Sequence, residues 1–156
     1  MTNVIDIAAV ICETRIAARP ETVFAFFTEP NKLARWQGSH VEIEPRPGGI
    51  YAVDMNPRTR ARGRFVEVVP YSKIVFTWGW DDDTYGLPPG SSTVEVTLAP
   101  DGDGTHVRLV HRGLTTSEMR DQHRQGWDLY LARLTIAAAG GDPGPDPWQR
   151  TGDGRS

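Results

Sequence analysis

Histidine and tryptophan carry most of the chemistry open to this chain. His123 falls on the same stripe as Met119, Trp127, Tyr130, Leu131, Leu134 and Ala138, whose three- and four-residue spacing marks the buried side of an amphipathic helix. An imidazole there is either a core group hydrogen-bonded to a strand or a polar contact inside a mostly apolar ligand pocket. Burial without a carboxylate partner holds such a ring neutral, with its pKa below the ordinary value of about 6.5. His111 is the second candidate, sharing the parity of Val107 and Leu109 in an alternating run. Either ring has the pKa range of a general acid or base. His106 and His111 lie an odd number of residues apart in one strand, so they point to opposite faces and cannot share a metal ion. Trp78 and Trp80 form an aromatic row with Ile74 and Phe76, and Trp127 and Tyr130 come to meet it from the helix. So much ring volume either fills a core or edges a pocket.

Charged groups give weaker signals. Asp54 and Glu13 are the carboxylates from which a histidine–carboxylate pair inside the sheet would be built. Arg58, Arg60, Arg62 and Arg64 repeat every second residue, which places their guanidinium groups on one side of a strand. Phe65 on the opposite side marks theirs as a solvated outer face; the alternative puts one arginine at a cavity mouth, holding a ligand carboxylate or phosphate. Asp81, Asp82 and Asp83 read as a solvated turn, because no pattern of oxygen ligands surrounds them. The chain has no P-loop, dinucleotide fingerprint, paired-cysteine zinc pattern or nucleophile elbow, so neither cofactor nor metal is expected.

The elements that must position these groups are mostly strands. Ala8 to Ala17 alternates, with Val10, Cys12, Thr14 and Ile16 on one face. Arg19-Pro20-Glu21 opens a short helix that buries Val23, Phe24 and Phe27, and Asn31 to Trp36 forms a second. From Ser39 to Arg112 the period is two: Val41 and Ile43, the return arm Ile50 to Met55, Arg62 to Val69, Lys73 to Trp80, Thr93 to Ala99 and Thr105 to Arg112, separated by Gly, Pro and Asp turns. The acidic loop Asp81 to Gly90 reads as a surface flap beside Trp78 and Trp80. Thr116 to Ala139 is the long helix, with Thr116 or Ser117 as cap and Gly140-Gly141 and Pro143 as stop. Tight turns imply antiparallel neighbours, and only this helix is long enough to cover the sheet's apolar face.

Composition excludes several classes. At 156 residues and 38% hydrophobic content the chain suits one globular domain, assigned to residues 1–139, with the Gly-, Pro- and Asp-rich stretch 140–156, Trp148 included, read as a disordered tail. A net charge of −3 argues against a nucleic-acid partner. No run is long and apolar enough for membrane insertion. The single Cys12 and the absence of a leader pattern point to the cytoplasm.

Taken in order, the phrases ARPETVFAFFTEPNKLARW, EIEPRPGGIYAV, KIVFTWGW and STVEVTLAPDGDGTHVRLVHRGL, and the pairing of His123 with Gly126-Trp127, resemble the SRPBCC (START/Bet v 1-like) superfamily. Within it they are similar to the family of the C-terminal domain of the activator of Hsp90 ATPase. The resemblance spans Cys12 to Ala139; Gln37 and Ser39 depart from it, standing where the family often carries a second Trp and a Pro. It implies an α+β helix-grip fold: a curved antiparallel sheet of six or seven strands around a long C-terminal helix, with two short helices after the first strand. It also implies a cavity for a small hydrophobic or aromatic molecule, for which the candidate ligand-binding residues are Trp36, Tyr51, Trp78, Trp80, His123, Trp127 and Tyr130. An acid/base enzyme of the cyclase or aromatase kind, using His123 or His111, is the alternative function. A partner of Hsp90 is the third, and the sequence leaves a homodimer open.

Overall fold

The structure is a computed structural model describing residues 9–82 and 85–147. Its strands are β1 (Val10–Ile16), β2 (His40–Ile43), β3 (Ile50–Asp54), β4 (Arg60–Val69), β5 (Lys73–Trp78), β6 (Ser92–Asp101) and β7 (Gly104–Arg112); its helices are α1 (Pro20–Thr28), α2 (Pro30–Leu33) and α3 (Ser117–Ala138). All the strands join one antiparallel sheet in the order β1-β7-β6-β5-β4-β3-β2. With α1 and α2 following β1 and α3 closing the chain, this is the helix-grip architecture expected from the sequence.

Alternation decides which face each strand buries. Val94, Val96 and Leu98 of β6 and Val107, Leu109 and His111 of β7 are all buried, as are Ile74, Phe76 and Trp78 of β5. A bulge between Phe65 and Glu67 shifts the register of β4 against β5, adding the local twist by which a sheet curls. Beyond β5, Gly79 lets the chain carry Trp80 inward: any side chain at this position would strike the carbonyl of Pro88. Trp80 then bridges to Ala61 and is itself buried.

Thr116 caps α3, its hydroxyl accepting from the Met119 amide at 3.1 Å. The buried stripe of α3 is His123, Trp127, Tyr130, Leu131, Leu134, Ala137 and Ala138, and it includes one residue the apolar pattern does not pick out, Arg133. In α1 the buried side is Val23, Phe26 and Phe27. Phe24, expected inside, instead lies half-buried at the rim, edge-on to Tyr71 at 5.5 Å.

As far as residue 147, the stretch after α3 packs back on that helix. Arg133 donates to the carbonyls of Pro143, Gly144 and Pro145 at 3.1 to 3.3 Å, and Tyr130 donates to the buried carboxylate of Asp146 at 3.0 Å. Residues 148–156, with Trp148, lie outside the described residues. No helix among the described residues is long and apolar enough to cross a membrane.

Candidate functional site

Between β5, the start of the loop after it and the first half of α3 lies a cavity of about 20 Å³. It is lined by Trp78 and Trp80 from the sheet side, His123, Trp127 and Tyr130 from α3, and Tyr85 from the loop, with Gln37, Met55, Gln122 and Gly126 completing the wall. Sequence reading places five of these at a pocket: Trp78, Trp80, His123, Trp127 and Tyr130. The space itself is small, enough for about one water molecule. The rings close most of it: Trp78 lies 5.1 Å from Trp80 and 5.2 Å from Trp127, centroid to centroid.

The structure brings the two candidate histidines together, His111 from β7 and His123 from α3, with ring centroids 5.2 Å apart and planes perpendicular. Their hydrogen bonds fix the tautomers. His123 Nδ1–H donates to the Met119 carbonyl at 2.8 Å, leaving Nε2 to accept from the Trp80 indole N–H at 3.1 Å. His111 Nδ1 accepts from the Trp127 indole N–H at 3.0 Å; its Nε2–H donates to Ser92 Oγ at 2.8 Å, and that hydroxyl donates to the Trp78 carbonyl at 2.7 Å. Each bond requires the next, so both rings are held neutral and every ring nitrogen is committed. Burial pushes the pKa of His111 well down, with proximity of His123 adding to it. His123 is also lowered by burial, the Met119 carbonyl opposing in part.

Other expected site residues go elsewhere. Trp36 is core: its indole donates to the Phe26 carbonyl at 2.9 Å, and its ring meets Phe27 edge-on. Tyr51 of β3 stacks on Phe76 at 4.0 Å and meets the ring of Trp78 without lining the cavity, and burial raises its hydroxyl pKa. None of the four expected arginines lines the cavity. Arg60, Arg62 and Arg64 lie on the outer face of β4, and Arg58 precedes the strand with its amide held by Asn56 Oδ1. Arg62 pairs with Asp54 at 2.8 Å, which takes Asp54 away from any histidine. Glu13 does pair with a histidine, His106 at 2.7 Å, but across the exposed face of β1 and β7 rather than inside the sheet. Asp81 faces Arg60 and Arg62, and no group of carboxylates, histidines and cysteines fit to hold a metal occurs among the described residues. Cys12 is buried beside Asp128, and burial with that neighbour pushes its thiol up to about 12, far from a reactive thiolate.

Ser92 and Tyr85 are site residues that the sequence reading does not single out, and Gln37 stands out there only as a departure from the family's pattern. Gln37 is held from several sides. Its backbone N–H donates to the Leu33 carbonyl at 3.0 Å, the carbonyl before it accepts from Arg133 Nε at 3.0 Å, and Gly38 after it adopts a φ of +86° where an added Cβ would stand 2.5 Å from Val53. Tyr85 lies over Trp80 at 5.2 Å and His123 at 5.7 Å, half-buried at the cavity's outer side. Its place agrees with the flap expected of the loop, although Asp83 and Thr84 lie outside the described residues.

Tyr130 ties the site to the segment after α3. Removing its hydroxyl by Tyr130→Phe takes a donor from a buried carboxylate, and a loss of about 1–3 kcal/mol is expected from urea unfolding, with faster amide exchange at Gly144. An unchanged urea midpoint together with unchanged exchange at Gly144 would show that the segment docks without this bond.

Comparison with known proteins identifies the family. Residues 17–139 match Activator of Hsp90 ATPase homolog 1-like protein. The chain belongs to this family. It is 48% identical to an AHSA1-like protein of Rhizobium etli, with a TM-score of 0.72 over 89% of this chain and 86% of that one. CalU16 from Micromonospora echinospora is 25% identical, with a TM-score of 0.71 over 92% of this chain and 80% of the other. An HSP90 activator from Plasmodium falciparum, 22% identical with a TM-score of 0.68 over 83% of this chain and 94% of its own, shares the fold. No curated protein matches the chain in sequence.

Proposed function

We propose that this AHSA1-like chain binds one small, neutral, hydrophobic or aromatic molecule between the sheet and α3. The observation that carries the reading is the cavity lining: indole, phenol and neutral imidazole rings with Met55, Gln37 and Gln122, and no ionised side chain among the described residues. Apolar walls with a few placed polar groups are what small-molecule sites have in common. At about 20 Å³ the resting space is too small for such a molecule, so binding requires the half-exposed Tyr85 ring to move off Trp80 and His123. Binding therefore spends part of its free energy on that displacement, which favours modest affinity.

The acid/base alternative is weaker. A general base needs a nitrogen free to take a proton, and a general acid needs one to give; here each ring nitrogen of His111 and His123 is engaged with the protein. The Hsp90 reading has the shared fold and family behind it and no particular residue of the site.

A neutral fluorescent probe such as N-phenylnaphthylamine tests the proposal. It should bind with one-to-one stoichiometry, quench tryptophan emission, and at a hundredfold excess over its dissociation constant raise the unfolding free energy by about 2.7 kcal/mol. Tyr85→Ala should bind it more tightly. Absence of saturable binding to both proteins would refute the proposal.

A further inference from the structure

We propose that Gln37 and Trp78 read the polar edge of the bound molecule, which is therefore a neutral planar ring carrying one hydrogen-bond acceptor and one donor, as in a lactam. This inference rests on the cavity reading above and adds the chemistry of its occupant.

Among the described residues, the buried side-chain polar atoms without a partner are Gln37 Oε1 and Trp78 Nε1. The two residues are 1% and 2% exposed, and both line the same cavity. Leaving a buried donor or acceptor unpaired costs about 1–3 kcal/mol, so proteins rarely leave two together without a use. The other tryptophans of the core show the contrast: Trp36, Trp80 and Trp127 each donate to a partner within 3.1 Å.

Both groups are also held in place. The backbone that carries Gln37 is fixed by the Leu33 carbonyl, by the Arg133 grip on the carbonyl before it and by the close approach of Gly38 to Val53. Trp78 lies in register with Ser92, whose hydroxyl donates to the Trp78 carbonyl at 2.7 Å. A donor and an acceptor carried on fixed stretches of backbone suit a ligand that presents the opposite pair.

The same wall selects against other classes. A carboxylate would satisfy Trp78 but bring its charge into a cavity with no cation, and set a second acceptor against Gln37 Oε1. A pure hydrocarbon would seal both groups away from any partner. In the resting protein the space is enough for about one water molecule; a lactam edge sets its acceptor against Trp78 Nε1 and its donor against Gln37 Oε1 while the ring covers the indoles.

Calorimetric titration of the unmodified protein with a matched series tests this: 2-quinolone, its N-methyl derivative, naphthalene and quinoline-2-carboxylate. The lactam is expected to bind about tenfold more tightly than the N-methyl compound, a difference of about 1.4 kcal/mol, and more tightly than either of the others. Gln37→Leu should abolish the gap between the lactam and its N-methyl derivative, while the probe series on the unmodified protein gives the answer even if that variant folds poorly. Equal binding of lactam and naphthalene would overturn this inference and leave the cavity reading standing. Strongest binding by the carboxylate would overturn the neutral class. No binding by any of the compounds would overturn both.

Discussion

Trp78→Ala should cost about 3–5 kcal/mol of stability, the range for losing a large ring from a packed interior. Trp78 is 2% exposed and touches the rings of Tyr51, Phe76, Trp80, His111 and Trp127, so its loss opens a void at the meeting point of sheet and helix. Trp127→Phe should act differently. It keeps most of the volume but strands His111 Nδ1 without its donor, for which about 1–3 kcal/mol is expected. Urea unfolding of the two variants separates volume from hydrogen bonding. A Trp78→Ala loss below about 1 kcal/mol would mean that the aromatic wall can collapse around the gap, contrary to the tight packing described here.

Stability should also fall steeply as pH drops below about 6.5, the ordinary histidine value that the unfolded chain keeps. The sign follows from proton binding. Both His111 and His123 have their pKa lowered in the folded protein, chiefly by burial, so between the unfolded and folded values the unfolded chain binds more protons and gains stability relative to the native one. Stability is therefore full above that window and is lost as pH falls through it, by at most about 1.4 kcal/mol per pH unit for each histidine. Among the described residues no carboxylate offsets this: the groups around the two rings are Ser92, Trp78, Trp80, Tyr85, Trp127 and the Met119 carbonyl. Urea midpoints at pH 7.5 and 5.5 measure the effect, and His123→Gln should flatten the slope without removing it, since His111 remains. A midpoint independent of pH across that interval would show that at least one ring is charged in the native state.

How much of this can be read from the sequence depends on whether a residue's place is set by period or by partners. The strands of β5, β6 and β7 and the stripe of α3 follow period alone, and Trp78, Trp80, His123, Trp127 and Tyr130 converge as that period requires. Arg133 breaks the apolar pattern yet is buried, because its guanidinium finds the Trp36 carbonyl and the carbonyls of residues 143–145. Its position three residues after Tyr130 and four before Ala137 is the one local sign of this. The same contacts order Gly140 to Pro147, which composition alone assigns to a disordered tail. Gln37 stands out in the sequence only by departing from the family's pattern; its backbone is placed by Leu33, Arg133 and Val53, all distant from the aromatic row in sequence. Trp36 and Tyr51 show the converse: ring chemistry suits both to a pocket, while in the fold they pack on Phe27 and Phe76 and do not line the cavity.

The central claim, that a small neutral molecule enters between Trp78, Trp80 and Trp127, is tested most directly at the indole N–H groups. In nitrogen-15 correlation spectra of the labelled protein, a saturating neutral probe should shift the Trp78 signal most, move those of Trp80 and Trp127, and leave Trp36, bonded within the core, unchanged. A probe that binds while leaving the Trp78 signal unmoved, or a spectrum unchanged at saturating probe, would contradict the account.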